Sequence, residues 1–286
     1  VLDLKSIIKP NFFVLGAAKS GTTFLYHTLK QHPDIFLSSI KEPGFWCKHV
    51  EYFDNPADYF ALFDGVTQER IVGECSHIYM SDPQAAPILQ GLFPDAKFVV
   101  TLRNPADRAY SMYLNMRHNG FEFSPSFEQA LSVEDQRFQS EKFKRKNSKF
   151  FYNYLYYRSG LYGEQLRRYF TLFDKAQFHI VTLDRLQNDF EATISGILDF
   201  LNVDPVFKFN VVSEYKNTGY GIRYFYIQRL RRILPREYRQ YLKPLLNFNK
   251  TDAEPINQET REKLMEKYES DLELLCELTG IDLIDS

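Results

Sequence analysis

Residues 11–23 read NFFVLGAAKSGTT. Phe12, Phe13, Val14 and Leu15 run without a polar interruption into Gly16. A short, unbroken apolar run bounded by glycine is the pattern of a strand buried on both faces. Small residues follow, with Lys19 among them, and then Gly21, Thr22 and Thr23 open the amphipathic run FLYHTLKQH. The stretch predicts a buried strand, a glycine-bounded turn and a helix N-terminus. Such a turn aims several backbone N–H groups and the positive end of the helix dipole at one point, an arrangement that holds phosphate. It departs from the Walker A loop, G-x-x-x-x-G-K-[ST]. Gly16 and Gly21 keep that spacing, but Thr22 stands at the lysine position and the lysine lies earlier, at Lys19. A lysine there reaches the bridging oxygen of a bound phosphate, while the lysine that serves β- and γ-phosphates is missing. This argues against an ordinary ATPase or kinase. It favours a nucleotide whose 5′-phosphate carries the leaving bond.

Composition bounds what surrounds this loop. At 286 residues, 44% of them hydrophobic and with 26 Phe and 19 Tyr, the chain is long enough for one large domain, residues 1–286, with a sizeable core. The formal net charge is −2, so no basic bias indicates nucleic-acid binding. No run approaches the roughly 18 apolar residues of a membrane span, and no signal peptide is visible. The three cysteines, Cys47, Cys75 and Cys276, are odd in number, far apart and not in metal-ligand spacing, which fits a reducing cytoplasm. The six histidines form no H-x-x-x-H pair, so no metal is expected.

Taken in order, Pro33 closes the first helix and IFLSS reads as a short strand. In KEPGFW, Lys41 and Glu42 adjoin a Pro-Gly turn. They read either as a solvated charge pair or as a functional acid that Phe45 and Trp46 desolvate, raising its pKa toward that of a general base. Residues 51–69 read as helical. RIVGECSHIYM, residues 70–80, reads as a second strand with a polar end. That places Ser76 and His77 where α/β sheets put ligands, although a loop histidine without a role fits as well. Residues 81–94 read as a helix closed by Gly91 and Pro94. KFVVTL, residues 97–102, is a third strand, with Arg103 at its C-terminal end. Asn104 is an N-cap, Pro105 the first helical residue and Asp107 an acid in the first turn. Ser111 follows two turns up the helix. An arginine fork and a serine hydroxyl so placed bracket a second phosphate. The alternative is that Arg103 pairs with an acid and Ser111 merely packs.

Further on, a helix starts at Ser126 with a Ser126–Gln129 capping box, and EKFKRKNSK reads as a solvated loop. Tyr152, Tyr154, Tyr156 and Tyr157 suit either a core or a pocket wall. A helix runs from about Leu161, a fourth strand covers residues 178–186, and an amphipathic helix covers 189–203 with Phe190, Ile194, Ile197 and Leu201 on one face. Asn217, Thr218, Gly219, Tyr220 and Gly221 form a glycine-containing loop before a basic helix. Residues 252–282 read as a final helix or helical hairpin. Strands alternate with helices, so the fold class is α/β, a three-layer α/β/α sandwich with a mainly parallel central sheet.

GAAKSGTTFLYHTLKQHPDI and TLRNPADRAYSMY together resemble the 5′-phosphosulfate loop and the 3′-phosphate motif of the sulfotransferases that use 3′-phosphoadenosine 5′-phosphosulfate (PAPS). That family has a P-loop-like fold. KEPGFW, GECSHIY, FEQALSVEDQRF and RSGLYGEQLRRYF are similar to its bacterial and heparan-sulfate-modifying branch. The resemblance implies that Lys19 contacts the 5′-phosphate and steadies the leaving group. It implies that the backbone of Ser20, Gly21, Thr22 and Thr23 cradles that phosphate, and that Arg103 and Ser111 hold the 3′-phosphate. Asn217, Thr218, Gly219 and Tyr220, with Arg223, match a late loop that closes over it. Glu42 matches the acid that takes the acceptor's proton as a hydroxyl or amine attacks sulfur in line, leaving 3′-phosphoadenosine 5′-phosphate (PAP). No metal is implied. Two departures stand out. Gly44 replaces a histidine that many relatives carry two residues after the acid. In the E-K-[ST]-P stretch of the heparan-type enzymes, this chain has Cys75 for the lysine and His77 for the proline. The proton role is therefore open between Glu42 and His77. The paired late cysteines of the Golgi enzymes are also missing, which fits a cytoplasmic, bacterial enzyme. The aromatic residues near Trp46 and Tyr152–Tyr157 favour a small-molecule or secondary-metabolite acceptor over a glycan, whereas the basic segment Lys142–Lys149 suits an anionic glycan. The competing readings are a P-loop kinase and a non-catalytic nucleotide-binding scaffold. Against the kinase stands the strand FVVTL, which ends in Arg103 rather than a Walker B acid. Against the scaffold stand an intact Lys19 and Glu42.

Overall fold

The computed structural model describes residues 8–47, 55–210, 218–220, 250–252 and 254–284. Strands β1 (Phe12–Gly16), β2 (Ile35–Leu37), β3 (Ile71–Cys75), β4 (Lys97–Leu102) and β5 (Phe178–Thr182) form a sheet in the order β2-β3-β1-β4-β5. Every neighbouring pair is parallel. β1 lies at the centre, with Val14 opposite Cys75 on one side and Val99 on the other. Its residues alternate between two cores. Phe12 and Val14 pack with Leu25, Leu29, Ile194 and Ile197, while Phe13 and Leu15 pack with Leu89, Ala109, Leu166 and Tyr268. Burial on both faces is why the run carries no polar alternation. Each such side chain stabilises the fold by about 1.5–3 kcal/mol.

From β1 the chain builds β2 and β3 on one side, then crosses to β4 and β5 on the other. The C-terminal ends of β1 and β4 therefore flank the switch point where open α/β sheets bind ligands. Helix α1 (Thr22–Leu29) leaves β1 and ends before Pro33, which sits in the following turn. After β2 comes α2 (Pro56–Phe60), capped by Asn55. The strand expected over 70–80 ends at Cys75, and α3 (Ile78–Ser81) and α4 (Ala85–Leu92) follow, with Gly91 inside α4 rather than closing it. After β4, α5 (Pro105–His118) starts as read, Asn104 accepting from the backbone N–H groups of Ala106 and Asp107. Next come α6 (Phe127–Ser132), capped by the Ser126 hydroxyl, and α7 (Glu134–Gln139).

The basic segment expected as a loop is helical, α8 (Glu141–Lys146). Ser140 caps it, and Lys144, Arg145 and Lys146 meet the negative end of its dipole. Tyr152, Tyr154 and Tyr156 are buried in the core, so of that tyrosine run only Tyr157 is half-exposed. Helix α9 (Tyr162–Phe170) precedes β5. The fourth strand is shorter than expected, because the Thr182 hydroxyl caps α10 (Leu183–Asn188). α11 (Phe190–Leu201) then completes the second face. Thr218–Tyr220, expected in a loop, is strand β6, paired antiparallel with β7 (Lys250–Asp252). Asn217, Gly221 and the basic segment around Arg223 lie outside the described residues. The last helix is single, α12 (Gln258–Thr279), with Leu264, Tyr268, Leu272 and Leu275 buried. No helix among the described residues is long and apolar enough to cross a membrane.

Candidate active site

The phosphate-type turn is fixed at both ends. Ala17 N–H donates to the Thr101 carbonyl at 2.6 Å, and Thr101 Oγ1 donates to the Gly16 carbonyl at 3.1 Å, so the turn is tied to β4. The chain reverses through left-handed steps at Lys19 (φ 66°) and Gly21 (φ 87°). The positive φ at Gly21 favours glycine, and a Cβ there would also push the Leu183 side chain, whose Cδ1 would lie 2.9 Å away, aside. No acidic residue lies in the first turn of α1, and no side chain caps it. Its N–H groups and dipole remain available to an external anion. Lys19 is partly buried beside the turn. Burial, then the neighbouring Arg103 and Lys41, push its pKa down. Arg103 Nη1 donates to the Lys19 carbonyl at 3.4 Å, and Tyr162 donates to the Arg103 carbonyl at 3.1 Å. Three cations thus face one another at the end of β1 and β4, a repulsion that a bound anion relieves. Ser111 is buried on α5, two turns beyond Asn104.

The KEPGFW loop closes the other side. Glu42 N–H donates to the Cys75 carbonyl at 2.9 Å and Gly44 N–H to Ser76 Oγ at 3.0 Å, which pins the loop to the C-terminal end of β3. Glu42 holds φ 63°, a left-handed conformation that costs a non-glycine residue about 1–2 kcal/mol and concentrates at functional sites. Its Oε2 lies 2.8 Å from His77 Nδ1 and accepts from His77 N–H at 2.8 Å, while Lys41 Nζ donates to Oε1. His77 Nε2 lies 3.0 Å from Asn153 Oδ1. This corrects the sequence reading of the acid. Burial does push the Glu42 carboxyl up, but attraction and hydrogen bonding to His77 and then Lys41 outweigh it and hold it at about 2. The carboxylate is ionised, oriented and, with 27% of its side chain exposed, within reach of a substrate.

Behind the loop sits a carboxyl that the sequence reading passed over. Glu74 is fully buried on β3 and accepts from Tyr59 (2.6 Å), Tyr79 (2.7 Å) and Ser76 Oγ (2.6 Å). Burial raises its pKa to about 7 against those hydrogen bonds. Ser76 thus links Glu74 to the loop that carries Glu42. An acid inside the apolar strand RIVGEC was the available signal, since such a residue is kept only with partners. Nothing local marked Asn153 as the partner of His77.

Of the expected residues, Lys19, Ser20, Gly21, Thr22, Thr23 and Arg103 converge at the turn, Glu42 and His77 meet as a pair, and Lys41 joins the two groups through Thr22. Thr218, Gly219 and Tyr220 are described only as backbone in β6, and Asn217 and Arg223 lie outside the described residues. The chain is similar to several known proteins. Carbohydrate sulfotransferase 15 of Mus musculus is 28% identical over 249 residues, covering 69% of this chain and 44% of that protein. The bifunctional heparan sulfate N-deacetylase/N-sulfotransferase 2 of Homo sapiens is 26% identical over 207 residues, covering 68% of this chain and 22% of that protein. The chain therefore spans less than half the length of these relatives. A sulfotransferase from Alicyclobacillus acidocaldarius superposes with a TM-score of 0.74 at 26% identity, covering 96% of this chain and 98% of the other. The Sulfotransferase domain model matches residues 9–218, so strand, turn, acid loop and Arg103 all fall within one match and the chain belongs to that family.

Proposed function

We propose that the protein transfers a sulfonate group from PAPS to a hydroxyl or amine of an acceptor, releasing PAP. The observation that carries this reading is the convergence at one sheet end of a cationic phosphate turn and a separate ionised carboxylate. The turn alone would fit many nucleotide-binding proteins. In the reaction the acceptor oxygen or nitrogen attacks sulfur, and its proton passes to Glu42. The bond from sulfur to the bridging oxygen of the 5′-phosphate breaks, and Lys19 with the N-terminus of α1 stabilises the charge that collects on the leaving phosphate. The fixed turn and the pinned loop supply the in-line placement. Arg103 and Ser111 are assigned to the 3′-phosphate, which ATP lacks. Lys19, Arg103 and the first turn of α1 fit a bisphosphorylated donor by charge and by donor count.

The names of the relatives concern carbohydrate and heparan sulfate, and we take a carbohydrate hydroxyl or amine as the acceptor class. The small-molecule preference loses its support, since Tyr152, Tyr154 and Tyr156 are core residues rather than a pocket wall. Cys47, Cys75 and Cys276 are all free thiols, which fits a reducing, cytoplasmic setting in a bacterium. Calorimetry with PAP, and with ATP and Mg²⁺, tests the donor. Binding of PAP but not ATP is expected; binding of ATP alone would overturn the proposal. Labelled PAPS offered with a panel of glycans and phenols then tests the acceptor, with incorporation expected into the glycans.

A further inference from the structure

Lys41 belongs to neither half of the site, yet it touches both. Its Nζ pairs with Glu42 Oε1 and lies 3.5 Å from Thr22 Oγ1, on the first residue of α1. The side chain is 17% exposed and lies against the Cys75 thiol. On one side it faces a carboxylate; on the other it faces Lys19 in the anion turn, whose pKa it helps to depress. The groups that act on Glu42 come from every element around it: Lys41 on its own loop, His77 ahead of α3, Glu74 and Cys75 on β3, and Cys47 at the end of the loop. Burial raises both thiols far enough to stay neutral, Cys75 to about 12. Among these partners, Lys41 is the one with a long flexible stem that also borders the anion turn.

We propose that Lys41 is an exchangeable cation, pairing with Glu42 in the donor-free enzyme and moving onto the anionic group of the bound donor, so that Glu42 becomes a competent base only once the donor is in place. This rests on the donor reading above. The physical reason is a contest between two anions for one ammonium. A carboxylate held by an ammonium and a hydrogen-bonding imidazole is a weak base toward a hydroxyl, because general-base efficiency rises with basicity. A donor carrying several negative charges outcompetes a single carboxylate for Lys41. When Lys41 leaves, Glu42 keeps His77 as its orienting partner and its basicity rises by the share that Lys41 had held down. The same movement adds a second positive charge, beside Lys19, to the group on which negative charge develops.

The test is kcat as a function of pH at saturating donor, for wild type, Lys41→Met and Lys41→Arg, with thermal melts confirming that all three fold. In wild type the acid limb of kcat is expected above the value of about 2 that Glu42 has with Lys41 in place. Lys41→Met should lower kcat about 10²-fold, the scale of losing one charge-stabilising donor, while leaving that midpoint in place. Lys41→Arg should recover most of the rate. A limb that rises by about a unit or more in Lys41→Met would mean that Lys41 stays on Glu42, and would overturn the proposal. An unchanged kcat in Lys41→Met would overturn it as well. Calorimetry with PAP separates the two levels: wild-type protein that fails to bind PAP removes the donor reading itself, whereas binding together with either adverse kinetic result removes only the role of Lys41.

Discussion

Glu42 keeps its charge against burial because the His77 imidazole and the Lys41 ammonium hold it, and the consequences are local. Glu42→Gln preserves the shape and the hydrogen bond from His77 N–H but cannot take a proton. It should lower turnover by about 10³-fold or more while PAP affinity, read by calorimetry, is kept or tightened, because Lys41 no longer has a carboxylate to leave. His77→Ala is the companion measurement. A smaller loss than Glu42→Gln is expected, because His77 orients the acid; a larger one would assign the proton to His77. Lys19→Ala removes a charge-assisted contact from the turn and should weaken PAP binding by about 10–100-fold. At this scale the sequence was readable where the signal is contiguous. Gly16, Lys19, Gly21 and the Asn104-Pro105 cap lie within a few residues of the features they specify. The shift of Glu42 was not readable, because its determinants include His77, 35 positions away in sequence and adjacent only in space.

The element that holds the acid is the junction of the KEPGFW loop with β3, and its strength depends on pH through Glu74. The folded protein keeps the Glu74 proton up to about 7, whereas the unfolded chain releases it near the ordinary glutamate value of 4.5. The stability from this group is therefore complete below 4.5 and is lost as pH rises through about 7, a change on the order of 3 kcal/mol across that window. Urea unfolding at pH 5 and pH 7.5 should show the loss in wild type, and Glu74→Gln, which stays neutral, should remove most of it. Glu42 has the opposite sign, but it acts only as pH falls from 4.5 toward 2 and so stays out of that comparison. A second junction joins α9 to α12. Asp271 accepts from the N–H groups of Gly163 and Glu164 at 2.9 and 2.8 Å, capping α9 from another helix. A Cβ at Gly163 would lie 2.4 Å from the Asp271 carbonyl, so Gly163→Ala should force the helices apart and cost about 1–3 kcal/mol, read as a lower urea midpoint. Neither junction was legible beforehand. The helix α8 was missed for a related reason, since a charged segment with Phe143 as its one apolar residue looks like a loop until the Ser140 cap is seen to be used.

Across the whole molecule, α12 lies beyond the matched family segment yet fills one face of the sheet with Leu264, Tyr268, Leu272 and Leu275. Arg261 ties it to Asp107 in the first turn of α5, near the site. We therefore expect residues 1–286 to unfold as one unit, and a chain ended at residue 257 to lose the cooperative transition that far- and near-ultraviolet circular dichroism follow in the full chain. The sequence by itself determined the layers, the central strand and the phosphate turn, because burial on both faces, helix capping and glycine at positive φ are written in neighbouring residues. It also placed Arg103 at a strand end, where a parallel sheet gathers its ligand-binding groups. What only the tertiary structure decided is how the acid is equipped. The parallel register of β3 beside β1 brings Cys75, Ser76 and His77 against the loop of Lys41 and Glu42. Charges that are far apart along the chain acquire their protonation and their partners only when the sheet sets the distances between them.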